Sequence, residues 1–276
     1  MIKLRGLVNI LYHIVIIVIT IGLLFPMLWM FSTSFKDPSE LFTEDLRLVP
    51  HHPTFNNYII VFSEWPVVRW LINSAIIAVA ITLGRVILGI LAGYGFAAFD
   101  FPGKKIIFIL VIWTMSIPFM ITMIPNYIII SRLKMLNTYA GVILPMIGNA
   151  FSIFFLRQHI KSIPGSLFDA AIIDGANSWQ ILWKVVVTLI KGPIMAITVL
   201  LGIEAWNIFF WPLLVLSKET MHTLPIGLQY FQDSEMGTFW GQLMAAATVA
   251  SLPGIILYSI ARTRLLEATI TSGMKN

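Results

Sequence analysis

The sequence predicts an all-α polytopic membrane protein with six transmembrane helices and a cytoplasmic helix-turn-helix loop. Of its 276 residues, 58% are hydrophobic and 11% are charged, whereas soluble domains carry about 25% charged residues. The mean hydropathy of +0.88 is also far too high for a water-soluble chain. Because one helix needs about 20 apolar residues to cross the hydrocarbon layer, the length leaves room for roughly six spans and modest loops. We expect a single transmembrane domain over residues 1–276.

Six long apolar segments define the predicted spans. The first runs from about Leu11 to Phe31 and lacks the small-residue pattern of a signal-peptide cleavage site, so we expect it to remain as an anchor. The others lie at about 70–98, 106–130, 139–160, 186–215 and 238–261. Pro118 and Pro125 are expected to interrupt the third span, as in the broken helices that often line a substrate path.

Basic residues in the short loops predict the orientation of the chain. With the N-terminus inside, the inner segments carry eleven of them: Lys3, Arg5, Lys104, Lys105, Arg157, Lys161, Lys184, Lys191, Arg262, Arg264 and Lys275. The outer segments carry five: Lys36, Arg47, Arg132, Lys134 and Lys218. Since Lys and Arg accumulate on the cytoplasmic side, both termini are expected there. These residues are dispersed along the chain, which argues against a nucleic-acid-binding protein.

Several kinds of chemistry have no support in the sequence. The chain has no cysteine, so disulfides, thiolate metal sites and cysteine nucleophiles are excluded. The five histidines show no paired-ligand spacing, so no metal is expected. Gly93-x-Gly95-x-x-Ala98 matches a dinucleotide fingerprint only formally, because it lies inside an apolar span. The small residues Gly89, Gly93 and Ala97 instead predict a surface for close helix packing.

The inner loop at about 163–185 is unusually well organised for a connector. Ser166 and Asp169 form a capping-box pattern at the start of a short helix. Asp174-Gly175 then predicts a tight turn, and Asn177 or Ser178 can cap a second helix. The result is a helix-turn-helix whose apolar ridge suits the groove of another protein. An amphipathic helix lying on the lipid headgroups is the alternative.

These residues resemble a known family, the inner-membrane permease subunits of binding-protein-dependent ABC importers, in the branch that carries sugars and glycerol phosphates. Asp169-Ala170-Ala171-x-x-Asp174-Gly175-Ala176 is similar to the family's EAA motif, with Asp169 where glutamate is usual. The proline that the family places near Thr188 is absent. The resemblance covers almost the whole chain and includes Ser34-Phe35-Lys36, Asn73-Ser74, Phe101-Pro102-Gly103-Lys104, Leu136-Asn137-Thr138-Tyr139, Trp206-Asn207, Trp211-Pro212-Leu213 and Thr223-Leu224-Pro225.

The resemblance implies a set of partners. A homologous second permease would form a heterodimer with this chain, two copies of a cytoplasmic P-loop ATPase would bind ATP and Mg, and an extracellular solute-binding protein would deliver solute. This chain would be a non-catalytic subunit in a prokaryotic inner membrane and would bind no cofactor itself. Its coupling residues would be Leu167, Asp169, Ala170, Ala171, Asp174, Gly175 and Ala176.

Three functional classes remain open at this stage: an importer permease, a stand-alone secondary transporter or channel, and a membrane-embedded enzyme. The resemblance implies import of a sugar or oligosaccharide, with glycerol-3-phosphate or a glycerophosphodiester as the second candidate solute. A stand-alone secondary transporter or channel is more remote, because the two halves show no clear internal repeat. A membrane-embedded enzyme would need a cluster of ionisable residues at one depth, which the sequence does not provide.

Two charged residues at membrane depth, Arg85 and Glu204, need partners or a role on a pathway. A structural ion pair between them and a place on the solute path are both open. Asn207 offers a donor and an acceptor to solute hydroxyl groups, and Trp206 offers a flat apolar face. Further candidates for the path, each of which could equally serve in ordinary helix packing, are Asn149, Phe119 and Met123.

Overall fold

The computed structural model describes residues 2–41, 47–233 and 237–273, and it is predominantly helical over these residues. Its contacts divide the chain into two compact units. Unit 1 comprises Met1–Val68 and Gly227–Leu252, and unit 2 comprises Arg69–Ile226 and Pro253–Asn276. Lys275, one of the basic residues that predict the orientation, lies outside the described residues.

Three of the described helices are long and apolar enough to cross a membrane alone. They are α1 (Ile2–Thr33), α3 (Val67–Ala98) and α14 (Trp240–Gly273), whose candidate membrane span covers Trp240–Ile260. Between α1 and α3 lies the short helix α2 (Asn56–Glu64). Long runs of Ile, Leu and Val produce these helices, because in lipid every backbone N–H and C=O must be paired within the segment.

Three further spans are bent pairs of helices. α4 (Lys104–Thr114) and α5 (Phe119–Arg132) meet at 99°. The segments Tyr139–Met146 and Ala150–Lys161, which contain α6 (Tyr139–Ile143) and α7 (Ala150–Lys161), meet at 47°. Ser178–Leu189 and Lys191–Trp206 meet at 79°. Counting each pair as one broken span gives the six spans that the sequence predicts.

Apart from the 16-residue helix at Lys191–Trp206, the remaining described elements have nine residues or fewer. The helices are α8 (Gly165–Ile173), α9 (Ser178–Gln180), a π-helix at Ile181–Val186, α10 (Val187–Leu189), α11 (Lys191–Trp206), α12 (Phe210–Val215) and α13 (Leu224–Gly227). Single 3₁₀ turns lie at Pro38–Glu40, Leu144–Met146, Glu219–Met221 and Leu228–Phe231. Two-residue strands β1 (Gln232–Asp233) and β2 (Gly237–Thr238) pair antiparallel.

The two prolines predicted to interrupt the third span behave differently. Pro118 stands at the N-cap of α5, where its missing N–H and fixed φ begin a new helix in a new direction. Pro125 lies inside α5 without ending it, so that part of the prediction is wrong. Membrane helices tolerate an internal proline where neighbouring groups satisfy the freed carbonyl.

In unit 1, Asn57 fixes the turn that follows α1. The Asn57 side chain is buried, and its Nδ2 donates to Ser34 O at 3.0 Å and to Lys36 O at 2.8 Å. Lys36 is also buried, with Nζ 2.7 Å from Arg47 O and 4.3 Å from the centre of the Trp29 ring. The Ser34-Phe35-Lys36 stretch is therefore held by hydrogen bonds to its backbone.

In unit 2, α3 packs closely against the segment around α7. A Cβ on Gly84 would lie 2.6 Å from Ile147 Cγ2, and one on Gly89 would lie 2.9 Å from Ser152 Oγ. The predicted small-residue surface is thus an internal packing surface of this chain. The apolar core that it joins consists of Val86, Ile90, Tyr94, Leu156, Ile160, Ile181, Leu182, Val186, Ile190, Ile197 and Leu201.

Candidate functional site

The loop at 163–185 begins with helix α8. Pro164 is the N-cap residue, with φ −58° and ψ 133°, and no side chain caps the helix. The predicted capping box at Ser166 and Asp169 is wrong, because the helix starts at Gly165 and Ser166 already lies within its first turn. A capping side chain must come from a residue with non-helical backbone, which here is a proline.

The turn after α8 has the predicted geometry. Gly175 adopts φ +80°, a left-handed conformation that costs glycine little, and its N–H donates to Ile172 O at 2.9 Å. Asn177 then caps the second helix: its Oδ1 accepts from Gln180 N and its own N–H donates to Gln180 Oε1, both at 2.9 Å. This reciprocal capping box fixes the helix-turn-helix.

α8 has one packed face and one exposed face. Phe168, Ala171 and, in the following turn, Ala176 pack against the apolar core of unit 2. The other face is exposed and carries the predicted coupling residues Leu167, Asp169, Ala170 and Asp174, together with Ile172 and Ile173. Ile173 is 85% exposed. Large apolar side chains left uncovered on a helix outside the spans mark a contact surface.

The second helix of the loop continues into the fifth span. After α9 the chain forms the π-helix Ile181–Val186, whose Ile181, Leu182 and Val186 are buried. A bend of 79° at Ile190, where φ is −103° and ψ is 22°, separates this segment from α11. The same apolar core therefore holds the packed face of α8 and the start of the fifth span.

A cavity of about 770 Å³ lies in unit 2 where the broken spans change direction. Met115 and Ile117 from the break between α4 and α5 line it, as do Gly148 and Asn149 from the break before α7. The rest of the described lining comes mainly from α5, the end of α11 and the start of α12, and it includes Phe119, Thr122, Asn126, Glu204, Phe209, Phe210 and Trp211.

Arg85 and Glu204 form an ion pair in the wall of this cavity. Arg85 Nη1 lies 3.0 Å from Glu204 Oε1, and the side chains are 4% and 54% exposed, respectively. The contact is not aligned as a hydrogen bond, so Nη1 donates to no group among the described residues. Arg85 Nε donates to Met146 O at 2.8 Å, which fixes the guanidinium from the opposite direction. The sequence left open whether Arg85 and Glu204 form an ion pair or line a solute path. The structure shows that they form an ion pair and that both line the cavity.

The other predicted path residues separate into two groups. Phe119 and Asn149 line the cavity. Asn149 also caps α7, with its Oδ1 accepting from Ser152 N at 2.7 Å. Trp206, Asn207 and Met123 are not among the residues described as lining it. Asn207 instead ends α11, with its Nδ2 donating to Ile203 O at 2.8 Å.

Sequence reasoning missed Thr122 and Asn126, which line the cavity on the same side of α5 as the predicted Phe119. The three residues recur at intervals of three and four. Residues at such intervals lie on one helix face, so this periodicity in the sequence predicts a polar stripe beside Phe119. The aromatic Phe209-Phe210 pair follows the predicted Trp206-Asn207 by two residues.

Polar side chains also hold the segment that follows α12. Asn73 is buried, its Nδ2 donates to Thr220 O at 3.0 Å and to His222 O at 2.8 Å, and its Oδ1 accepts from Tyr139 Oη at 2.7 Å. Ser74 Oγ accepts from Leu224 N at 2.8 Å. The Asn73-Ser74 stretch therefore serves to position residues 220–224.

Comparisons with known proteins agree with this arrangement of spans and loop. A family model described as "Binding-protein-dependent transport system inner membrane component" matches residues 85–270. The arabinooligosaccharides transport system permease protein AraQ of Halalkalibacterium halodurans is 33% identical over 257 residues, which cover 91% of each chain. The sn-glycerol-3-phosphate transport system permease protein UgpE of Yersinia pestis bv. Antiqua is 30% identical over 275 residues, which cover 97% of this chain and 98% of that protein.

A solved structure shares the fold. A chain of a bacterial ABC transporter involved in the import of the acidic polysaccharide alginate superposes with a TM-score of 0.84. The superposition covers 95% of this chain and 96% of that one, at 24% sequence identity. The similarity therefore extends over nearly the whole length of both chains.

Proposed function

Because the chain belongs to the family of inner-membrane components of binding-protein-dependent transport systems, we propose that it forms half of the solute path of an ATP-driven importer for a sugar or oligosaccharide. The observation that carries this proposal is the presence, in one compact unit, of a broken-helix cavity and an exposed helix-turn-helix. An importer needs both, since solute must pass and a motor protein must contact the chain.

The exposed face of α8 is the proposed contact with a cytoplasmic P-loop ATPase. Leu167, Asp169, Ala170 and Asp174 offer an apolar and acidic surface. Ala171, Gly175 and Ala176 fix the helix against the core and set its direction. Two ATPase copies would bind ATP and Mg and carry out hydrolysis, and this chain would bind no cofactor. Their closure would push α8 and bias the permease between inward-open and outward-open states.

Oligosaccharide is the proposed solute class. AraQ is a permease of an arabinooligosaccharides system, and the cavity combines exposed phenylalanine rings with threonine and asparagine side chains. Aromatic faces and amide or hydroxyl groups together suit sugar rings. The second candidate is sn-glycerol-3-phosphate or a glycerophosphodiester, because UgpE serves an sn-glycerol-3-phosphate system. We place Phe119, Asn149 and Glu204 on the path, and Trp206, Asn207 and Met123 stay predictions from the sequence.

Membership of the family supports a proposal for the rest of the assembly. A homologous second permease would complete the path, an extracellular solute-binding protein would deliver solute, and lipid would surround the exposed apolar helices. The excess of basic residues in the segments that contain α8 and both termini supports a cytoplasmic location for them. This topology would put α8 on the side of the membrane where ATP is available.

Purification of the tagged chain from its native host tests the proposal. We expect a second six-span permease and a P-loop ATPase to co-purify, and the reconstituted complex to take up a sugar only with ATP and the binding protein. A matched sample with a non-hydrolysable ATP analogue should show no net uptake. Recovery of the chain alone, active in liposomes without ATP, would instead establish a secondary transporter or channel.

A further inference from the structure

We infer that the cavity of unit 2 binds an uncharged, hydroxyl-rich solute and that Glu204 accepts hydrogen bonds from the hydroxyl groups of that solute. The inference rests on the proposed function and narrows it, because it selects between the two solute classes that the relatives represent. A neutral sugar fits the wall of this cavity, whereas a phosphate-bearing solute does not.

The charges in the cavity wall are the first argument. Among the described residues that line it, Arg85 and Glu204 are the charged ones, so the wall carries no net formal charge. Their exposures are very different, at 4% for the Arg85 side chain and 54% for the Glu204 side chain. A solute in the cavity therefore meets the carboxylate, while the guanidinium is hidden behind it. An anionic solute would be repelled at short range by the group it can reach.

The hydrogen-bonding capacity of the wall is the second argument. An ionised carboxylate accepts hydrogen bonds and donates none, and Arg85 occupies one side of Glu204 Oε1. The hydroxyl protons of two lining threonines are already used, since Thr114 donates to Val111 O at 2.6 Å and Thr122 donates to Phe119 O at 2.9 Å. Both threonine oxygens can still accept, so acceptors dominate the wall.

This excess of hydrogen-bond acceptors favours a neutral sugar over a phosphate-bearing solute. Each sugar hydroxyl can donate to Glu204 or to a threonine oxygen, and it can accept from the amide groups of Asn126 and Asn149. A phosphate group at neutral pH mainly accepts hydrogen bonds, and phosphate sites in proteins are built from accessible Arg, Lys or backbone N–H groups. Within the described part of the chain, the guanidinium of Arg85 has a free donor at Nη1, but that atom is buried behind Glu204, so a phosphate could reach it only if Glu204 moved aside.

Aromatic side chains complete the site. Phe119 is 36% exposed and Phe210 is 54% exposed, and the ring centroids of Phe209 and Phe210 are 5.2 Å apart. Trp211 is fully buried behind Phe119, with the two rings edge to face at 6.0 Å, and its Nε1 donates to Val142 O. Trp211 thus supports Phe119, and the phenylalanine rings are the faces available to sugar C–H groups. The volume of about 770 Å³ falls within the usual range of small-molecule sites.

Direct binding to the assembled importer, without its binding protein, tests the inference. The probes are arabinobiose, cellobiose and maltose, each compared with its own monophosphate, and saturation-transfer NMR on the complex in nanodiscs reports weak binding. We expect at least one neutral disaccharide to bind saturably and its monophosphate to bind at least about tenfold more weakly. In Glu204→Gln this preference should shrink by roughly tenfold, because the carboxylate charge is gone and Arg85 is no longer balanced.

Two further variants serve as controls. Glu64→Gln removes an exposed carboxylate from the end of α2, outside the cavity lining, and should leave the preference unchanged. Arg85→Gln leaves Glu204 without its counter-charge and should increase the preference for the neutral probe. If Arg85→Gln does not yield a folded complex, the inference is still tested by comparing the preference for the neutral probe in Glu204→Gln with that in Glu64→Gln.

Three results would overturn the inference: no neutral probe binds, a monophosphate binds as tightly as its parent, or Glu204→Gln keeps the full preference. The proposed function is judged separately by ATP-dependent uptake with the binding protein present. Uptake without the expected cavity preference would refute the inference alone. Loss of ATP-dependent uptake in the wild-type complex would refute the proposed function.

Discussion

Gly93 on α3 lies so close to α7 that a Cβ at this position would meet the backbone nitrogen of Arg157 at 3.0 Å. A backbone atom cannot move aside as a flexible side chain can, so the contact fixes the separation of the two helices. Arg157 is itself held in place, with Nε donating to Phe96 O at 3.2 Å and the guanidinium 3.9 Å from the Phe108 ring centre. The small residues of α3 therefore allow the two helices to approach this closely.

We predict that Gly93→Ala destabilises the chain by about 1–3 kcal/mol, the usual effect of overpacking a close contact. Gly95→Ala is the matched control, because it lies on the same helix and a Cβ there would meet no atom within 4 Å. Alanine is favoured over glycine in a helix by about 1 kcal/mol, so the control should be neutral or stabilised. Thermal unfolding of the purified complexes in detergent measures the difference, and equal midpoints for the two variants would contradict the packing argument.

Asn57 provides a second prediction, in unit 1. Its buried side chain donates to the carbonyls of Ser34 and Lys36, and a Cβ on Gly241 would lie 2.5 Å from its Oδ1. Replacement by alanine leaves two carbonyls without their donor and opens a gap, so we expect a loss of about 1–3 kcal/mol. Asn56→Ala, at the exposed neighbouring position, is the control and should change stability by less than about 0.5 kcal/mol.

Limited proteolysis provides the readout for Asn57. In Asn57→Ala the segment that follows α1 should be cleaved faster than in the wild type, whereas cleavage in Asn56→Ala should keep the wild-type rate. Comparable cleavage in both variants would show that the carbonyls of Ser34 and Lys36 do not depend on the amide.

Much of the fold could be predicted from the sequence because lipid imposes a simple rule. Apolar runs of about 20 residues give spans whatever their detailed sequence, so α1, α3 and α14 follow directly. The turn at Gly175 and the cap at Asn177 could also be predicted, because each depends on a local preference of one residue type. The start of α8 could not, since Pro164 overrides the capping pattern at Ser166.

The bend between α4 and α5 could be predicted from Pro118, whereas the other two bends and the cavity depend on distant contacts that the sequence does not show directly. The bend at Ile190 lies at a residue with no strong turn preference, so no local signal announces it. Arg85 and Glu204 are far apart in sequence and become an ion pair only when α3 and α11 pack in the same unit. Because a charged side chain in lipid has a high free energy, the sequence alone marks these two residues as needing a partner or a role on a pathway. Their unequal exposure can be seen only in the structure.

The pH dependence of the segment after α1 provides a third prediction. The N–H groups of His51 and His52 donate to Glu40 at 2.9 and 3.0 Å and hold the pKa of that carboxyl below its usual 4.5. A carboxyl whose pKa is lowered by folding stabilises the folded segment above its unfolded pKa, and this contribution disappears as the pH falls through the folded pKa. The segment should therefore become more open below about pH 4.5.

Hydrogen exchange of the backbone amides of His51 and His52 measures this opening directly. In the wild type their protection, corrected for the intrinsic pH dependence of exchange, should decrease as Glu40 becomes protonated. Glu40→Gln should have low protection at neutral pH and little further change on acidification. If the corrected protection of the wild type is the same at pH 7 and pH 3.5, Glu40 does not organise these residues.

The turn at Gly175 provides the last prediction, and it concerns coupling. Gly175 has φ +80°, which costs an L-residue about 1–2 kcal/mol, so Gly175→Ala should reduce the population of the correct turn by roughly 5- to 30-fold. The direction of α8 depends on this turn, because Ala171 and Ala176 pack on either side of it. We expect the number of solute molecules imported per ATP hydrolysed to fall in the reconstituted importer.

Gly165→Ala is the matched control for Gly175→Ala. It lies at the other end of α8, it does not have the positive φ of Gly175, and a Cβ there would meet no atom within 4 Å. Its transport ratio should equal that of the wild type, and both variants should bind the solute-binding protein normally, because the change is confined to the loop at 163–185. A wild-type transport ratio in Gly175→Ala, at normal complex assembly, would mean that α8 transmits motion without depending on the geometry of its turn.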